Sequence, residues 1–306
     1  MNFESISVDT RRILLAGCVS AIFCFSFSFE SLAQSRSTES TVPESGFFTG
    51  LGGRLDSIEF GTQNIYGYAT SDVFRNGVQV SGGAAGGPGT IEMDSKNKLS
   101  PTAQIGYFRR FPSSDWLWGG RISYAYLSST STVANALLPQ SGSSMATGSG
   151  VSVPFTGNAV IRSYQTSIKD QIVFTPFIGR AFSQGFVYVG AGPTMSRVQT
   201  KLNGVIGFAD ITGVPSDISG LPQNFSDSRW VAGGAVTVGA AYFFDPSWFL
   251  DIRYTYAMTS KPTVTYPATF TNPNGVNGTT ISGSGYTTSA GRVVTQGIAL
   301  TINKLF

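Results

Sequence analysis

From about residue 46 onward the chain switches repeatedly between aromatic-rich runs, in which apolar and polar residues take turns, and stretches dominated by Gly, Ser, Thr, Asn and Pro. A period of two puts successive side chains on opposite faces of an extended strand. The runs near 46–57, 99–111, 116–128, 166–181, 186–199, 229–244, 248–259 and 289–306 therefore predict eight strands. In the third run, Trp116, Trp118, Gly120, Ile122, Tyr124 and Tyr126 share one face, and Leu117, Gly119, Arg121, Ser123 and Ala125 share the other. The seventh sets Trp248, Leu250, Ile252, Tyr254, Tyr256 and Met258 against Phe249, Asp251, Arg253, Thr255 and Ala257. In the sixth, Trp230, Ala232, Gly234, Val236, Val238, Ala240, Tyr242 and Phe244 make an uncharged row. The fourth and fifth runs carry apolar residues in both phases, so either facing fits them.

An oily outer row with charges behind it suits a strand that has lipid on one side. The runs meet the roughly 9–11 residues needed for a tilted strand to cross a bilayer. Lipid offers no partner to backbone N–H and C=O groups, so an open edge would cost several kcal/mol per unsatisfied group and the sheet must close. The connections add direction. Short ones lie at Pro112–Asp115, Ser183–Gly185 and Asp245–Ser247, and long ones span about 58–98, 129–165, 200–228 and 260–288. This rhythm predicts an all-β, closed, antiparallel up-and-down transmembrane β-barrel with tight periplasmic turns and four long outer loops. Trp116, Trp118, Trp230 and Trp248 all fall near predicted strand ends, as an aromatic girdle at headgroup depth requires. The Gly-rich stretch Gly82–Gly89 lacks the Lys-Ser/Thr and strand-to-helix setting of a phosphate loop, and is expected to be a flexible outer loop.

The N-terminus changes what chemistry is on offer. Arg11-Arg12, an apolar run from Ile13 to Phe29, and Ser31-Leu32-Ala33 predict a secretory signal over 1–33 cleaved after Ala33, then a polar segment over 34–45 and the barrel over 46–306. An uncleaved anchor is the alternative reading of the apolar run. Leu15-Ala16-Gly17-Cys18 has the form of a lipobox, which leaves lipidation at Cys18 open; the apolar residues that continue past it favour simple cleavage. Thr10-Arg11-Arg12 has the form of a twin-arginine signal, but a barrel must reach its membrane unfolded, so the general secretory route is expected. Cleavage removes both cysteines, Cys18 and Cys24, from a chain that contains no His. Disulfides, Cys/His zinc sites and imidazole-based catalysis go with them, and no enzyme, metal or cofactor is expected. The net charge moves only from +3 to +4 and no Lys/Arg cluster stands out, so nucleic acid is not an expected partner.

An eight-stranded barrel is just wide enough inside to be filled by side chains. The expected inward set is Arg54, Asp56, Gln104, Arg121, Asp251 and Arg253, a mixture of signs able to pair into a plug; a charged ion path is the alternative. Lys169-Asp170 reads as rim charge.

The last ten residues, Gly297 to Phe306, resemble the terminal strand of outer-membrane proteins, with Phe306 at the end and Ile298, Leu300 and Ile302 at alternate positions before it. Lys304 departs from that pattern, where an apolar residue is usual; near the interface a Lys can lay its stem along the barrel and keep its ammonium in water. With the strand count, the mature chain resembles the small eight-stranded families: the transmembrane domain of OmpA, OmpX-like proteins, and opacity-type porin-like surface proteins. The resemblance implies a bacterial outer-membrane address, delivery by the barrel-assembly machinery, contact with lipid and lipopolysaccharide, and a monomer. It also implies a structural or loop-mediated role such as adhesion, host or phage contact or membrane integrity, with Tyr66, Tyr68, Phe155 and Phe225 suited to an extracellular ligand. The alternative is a narrow channel or small porin of 8–12 strands, for which Val78–Val80 and Thr263–Tyr266 have strand character.

Overall fold

The computed structural model describes residues 42–306 except 211, 212 and 214. The expected signal, Cys18 with its lipobox, and most of the polar segment 34–45 lie outside the described residues. Thirteen strands form one antiparallel sheet. They are β1 (Ser45–Glu59), β2 (Thr62–Arg75), β3 (Val78–Glu92), β4 (Lys96–Arg110), β5 (Trp116–Ala146), β6 (Ser152–Phe182) and β7 (Gly185–Asp210), followed by β8 (Pro215–Asp217), β9 (Gln223–Asp245), β10 (Trp248–Thr259), β11 (Thr263–Gly275), β12 (Thr279–Ala290) and β13 (Val294–Leu305).

Eight of these close a ring in the order β1-β4-β5-β6-β7-β9-β10-β13, with β13 returning to β1 through pairs from Phe48↔Leu305 to Glu59↔Val294. The fold is a closed antiparallel barrel. Its three tight turns follow β4, β6 and β9, and in the last Asp245 Oδ1 accepts from the Ser247 amide at 2.9 Å, an Asx turn.

Period two is visible all round the ring. Val236 and Ile252 are about half exposed while Arg121 and Arg253 are buried. The two strands of uncertain phase turn Ile172, Phe174 and Ile178, and Val187, Val189 and Met195, outward, with Phe177, Phe186 and Tyr188 inside. Pro176 and Pro193 interrupt the β6–β7 ladder between Val173↔Thr194 and Phe177↔Gly190. Gly192 keeps the strands close there, since a Cβ on it would strike the Phe174 carbonyl oxygen.

The four long connections are not loops, which corrects the expectation. They are largely strand. β1 breaks at Phe60-Gly61 and continues as β2, β3 leads into β4 across Met93–Ser95, β10 continues as β11 across Ser260–Pro262, and β12 leads into β13 across Gly291–Val293. β5, β6, β7 and β9 run on without a break. At 31 residues, β5 extends about 100 Å along its own axis, several times what a bilayer requires. The result is a second, outer ring that repeats the order of the first: β11-β12-β2-β3-β5-β6-β7-β9. Gly82–Gly89 lies within β3, paired to β2 and in part to β5, so it is no flexible loop. The segments with strand character at Val78–Val80 and Thr263–Tyr266 are strands, but they belong to the outer ring. Asn76 and Gly77, with φ of 51° and 80°, close the β2–β3 hairpin in the left-handed conformations that a two-residue turn of this kind needs. The predicted last strand loses its first residues to β12 and begins at Val294.

The outer ring is less complete than the inner one. The β4–β5 ladder stops at Thr102↔Ala125, and β3–β5 pairing resumes only at Gly86↔Ser141. Between β9 and β11 no ladder forms; Gln223 Nε2 donates across the gap to the Thr269 carbonyl at 2.6 Å, and Asn272 Nδ2 of β11 donates to the Asp217 carbonyl of β8 at 2.9 Å.

The outward rows generate a test. Val236→Arg or Ile252→Arg places a guanidinium against acyl chains and is expected to destabilise the lipid-inserted barrel by about 2–4 kcal/mol. Urea titration in lipid vesicles checks it, and an unchanged midpoint for both would show that these rows do not face lipid.

Candidate functional site

The interior of the inner ring is built in layers, each set by the residues its strands turn inward. At the turn end, Phe48, Phe108, Phe177, Phe186, Phe243 and Phe249 pack with Leu117, Leu305 and Val42 into one buried cluster. Phe243 and Phe249 stack at 4.8 Å between centroids, Phe108 meets Phe186 at 5.3 Å, and Phe48 meets Phe249 edge-on at 5.4 Å. Offset and edge contacts of this kind add to the apolar area they bury.

Above the aromatic floor lies a polar layer centred on Asp251. Its Oδ2 accepts from Arg253 Nη1 at 2.8 Å, Arg121 Nη1 at 3.2 Å and Gln104 Nε2 at 3.4 Å, and its Oδ1 accepts from the Tyr188 hydroxyl at 2.6 Å. Gln104, on β4, ties the group to β13, the strand beside Asp251: its Oε1 accepts from Arg253 at 2.6 Å and its Nε2 donates to Asn303 Oδ1 at 2.6 Å and Thr301 Oγ1 at 3.0 Å. Arg121 lies over the Tyr188 ring at 4.8 Å, so the second guanidinium sharing one carboxylate gains an aromatic face. Nearer the outer end Arg54 pairs with Asp56 at 2.5 Å and donates to Gln171 Oε1 at 3.1 Å; Gln171 in turn donates to Thr295 at 3.0 Å. Glycines make the room. A Cβ on Gly50 would collide with Asn303 Oδ1, and one on Gly297 with Asp56 Oδ1.

Arg54, Asp56, Gln104, Arg121, Asp251 and Arg253 thus all point into the interior and are buried. The structure divides them into two groups, Arg54 with Asp56 and the other four around Asp251. Sequence reasoning missed Tyr188, Gln171, Thr301 and Asn303 as partners, and it missed the aromatic floor.

A third, apolar layer closes the waist between the rings, where Phe60, Leu127, Leu138, Ile161, Tyr164, Ile168 and Leu202 are fully buried. The Tyr164 hydroxyl meets Ser289 Oγ at 2.7 Å across the lumen.

Outside the ring, Trp116, Trp118, Trp230 and Trp248 all face outward. Trp116 and Trp248 open their strands beside the tight turns. Lys304 Nζ lies over the Trp248 ring at 5.1 Å and donates to Ser247 Oγ at 2.9 Å, which carries its charge to the turn. At the other border Tyr124 and Tyr254 donate to Asp170 Oδ1 at 2.7 Å and Gln296 Oε1 at 3.0 Å. Asp170 also faces Arg197 at 4.0 Å, a rim pair. Ile298, Leu300, Ile302 and Phe306 all face outward from β13 and its end, and the Phe306 amide donates to the Phe47 carbonyl at 2.8 Å. Of the aromatics expected to serve an extracellular ligand, Tyr66 and Tyr68 face outward beside Tyr286, whereas Phe155 and Phe225 turn into the outer ring.

A closed eight-stranded ring with an apolar exterior and charges sealed inside is a transmembrane β-barrel of the bacterial outer-membrane kind. No family model matches the sequence, and no curated protein matches it either. Among solved structures the chain is similar to Ail, the attachment invasion locus protein of Yersinia pestis, at 13% identity and a TM-score of 0.26 over 76% of this chain and 99% of that one. It is similar to the outer membrane protein OprG of Pseudomonas aeruginosa at 9% identity and a TM-score of 0.28 over 84% and 99%, and to Neisserial surface protein A at 10% and 0.28 over 80% and 97%. The class follows from this chain's own ring and outward rows.

The polar layer generates a second test. Asp251→Asn removes the carboxylate shared by Arg121 and Arg253 and is expected to cost about 3–5 kcal/mol, as when one partner of a buried pair is lost. Unfolding in lipid vesicles measures it; a loss below ~1 kcal/mol, the surface-pair scale, would mean that water reaches these charges freely.

Proposed function

We propose that this chain is an outer-membrane surface barrel whose lumen is a structural plug and whose role is carried by the strand-built outer ring, as a module that stabilises the membrane and contacts extracellular partners. One observation supports this above the rest. Three successive layers, aromatic, ionic and aliphatic, occupy the path that a solute would take. Moving an ion through it requires separating buried charge pairs, at several kcal/mol each, and parting two apolar clusters. The lumen charges are accordingly read as a salt-bridge plug, the tryptophans as an interfacial girdle, and Ile298, Leu300, Ile302 and Phe306 as the recognition strand for the assembly machinery. Lipopolysaccharide and lipid are the partners of the outward rows, and any extracellular ligand belongs to the outer ring. The role is read as non-enzymatic, a reading supported by the assignment of the polar and aromatic lumen rows among the described residues to packing.

Two measurements test this. Purified protein in planar bilayers is expected to give no stable conductance steps, and large uniform steps would replace the plug with a pore. Arg75→Cys, at the tip of the β2–β3 hairpin, is expected to react in intact cells with a maleimide that cannot cross the membrane, whereas Ser183→Cys, in the β6–β7 turn, is expected to react only after permeabilisation. The reverse pattern would invert the barrel.

A further inference from the structure

The outer ring is not filled as the inner one is. Its inward rows carry small residues: Ala69 from β2, Gly83 and Ala85 from β3, Ala159 from β6, Gly207 from β7, Ala268 from β11 and Gly285 from β12. Together they leave a cavity of about 310 Å³ above the apolar waist. That is the lower end of the roughly 300–1,000 Å³ usual for small-molecule sites. Every strand of the outer ring contributes to its wall, so the space is the lumen of that ring and not a surface crease.

The lining is chemically selective. Phe155, Phe225 and Phe270 project into it with Val205 and Ile281, and no Asp, Glu, Lys or Arg is among the residues that line it. The polar groups present are amides and hydroxyls. Gln140 Nε2 is engaged by the carbonyls of Gly87, Leu138 and Pro139, and Gln223 Nε2 by that of Thr269, which orients both side chains and leaves their Oε1 atoms as acceptors on the wall. The floor is the buried waist cluster, into which Val205, Phe225 and Ala159 also pack. The seam between β9 and β11 borders the cavity through Gln223, Phe225, Ala268 and Phe270.

We infer that the outer ring binds an uncharged, ring-bearing apolar small molecule carrying at most a hydroxyl donor, held between Phe155, Phe225 and Phe270 with the hydroxyl offered to Gln140 or Gln223. Charged molecules are excluded because a buried charge would find no counter-ion on the wall. The inference rests on the surface-barrel reading and names the chemistry of its partner.

The experiment uses the barrel in lipid nanodiscs and 6-fluoro-2-naphthol as probe, followed by ¹⁹F resonance. A bound signal is expected that saturates at one equivalent and is absent from empty nanodiscs. Ala268→Trp and Ala85→Trp each fill the space and are expected to weaken binding by about tenfold or more. Both are first checked for unchanged circular dichroism and heat-modifiable migration. The sulfonate of the same ring system is expected to bind about tenfold or more weaker than the naphthol. Only lipid partition, equal with and without protein, overturns the inference, as does saturable binding that neither filling variant reduces. The same preparation is tested for conductance. A silent barrel that does not bind the probe removes this inference alone, whereas a conducting one removes the plug on which it stands.

Discussion

The architecture depends on one constraint: in hydrocarbon, a backbone N–H or C=O has no partner except another part of the chain. The two rings of this protein display the constraint by contrast. Where the outward rows are apolar, the eight strands are joined all the way round, and β13 meets β1 along its whole length. Farther out the ladders lapse between β9 and β11 and between β3 and β5, and the Gln223 side-chain amide bridges the first gap. Water tolerates such lapses and lipid does not. The inner ring has its own short interruption at Pro176 and Pro193, where neither proline has an N–H to donate to the neighbouring strand.

The lumen follows from the ring. An interior this narrow holds no bulk water, so each charge admitted to it must be satisfied in place. Asp251 does so with four donors, and the surplus of arginine over aspartate is eased by the Tyr188 ring and by Gln104, which accepts from one guanidinium and donates to Asn303 on the neighbouring strand β13. The aromatic floor shields this layer on the turn side and the aliphatic waist on the other, which keeps the local dielectric low and makes each of those hydrogen bonds count for more.

The spanning strands were legible because lipid writes a loud pattern. Trp116 to Tyr126 and Trp248 to Met258 keep every charge in one phase and an uncharged, mostly apolar row in the other, and the lumen residues could be read as whatever lay behind that row. The outer strands were not legible for the complementary reason. With water outside and small residues inside, stretches such as Ser81–Thr90 and Thr279–Ala290 present Gly, Ser, Thr and Ala on both faces, which composition alone assigns to loops. One local signal did exist: Asn76-Gly77 between Val73-Phe74 and Val78-Val80 is a strong hairpin cue, but the glycines that follow masked it. The floor had its own signature, an inward-phase Phe within four residues of a tight turn at Phe108, Phe186, Phe243 and Phe249, of which Phe186 is visible only once the phase of β7 is known. Tyr188 was hidden by the same ambiguity.

The faults in the outer ring are not scattered. β5, β6, β7 and β9 form an arc of strands that pass without a break from one ring to the other, while β1/β2, β4/β3, β13/β12 and β10/β11 form an arc in which each strand is broken at the waist. Within the broken arc the breaks answer one another: the Met93 amide donates to the Gly61 carbonyl at 3.3 Å, and the Thr259 amide to the Val293 carbonyl at 3.0 Å. Neighbours that bend together keep their register. Both ladder gaps fall where a broken strand borders a continuous one, at β4/β3 beside β5 and at β10/β11 beside β9, since a strand that breaks and one that runs on do not keep their pairing through the break. The breaks also supply the waist, because Phe60, Met93 and Val293 stand at three of them and all turn into the buried cluster. The bend that disrupts pairing is therefore the one that seals the lumen, and it raises the outer ring on a closed floor with an open seam at its side.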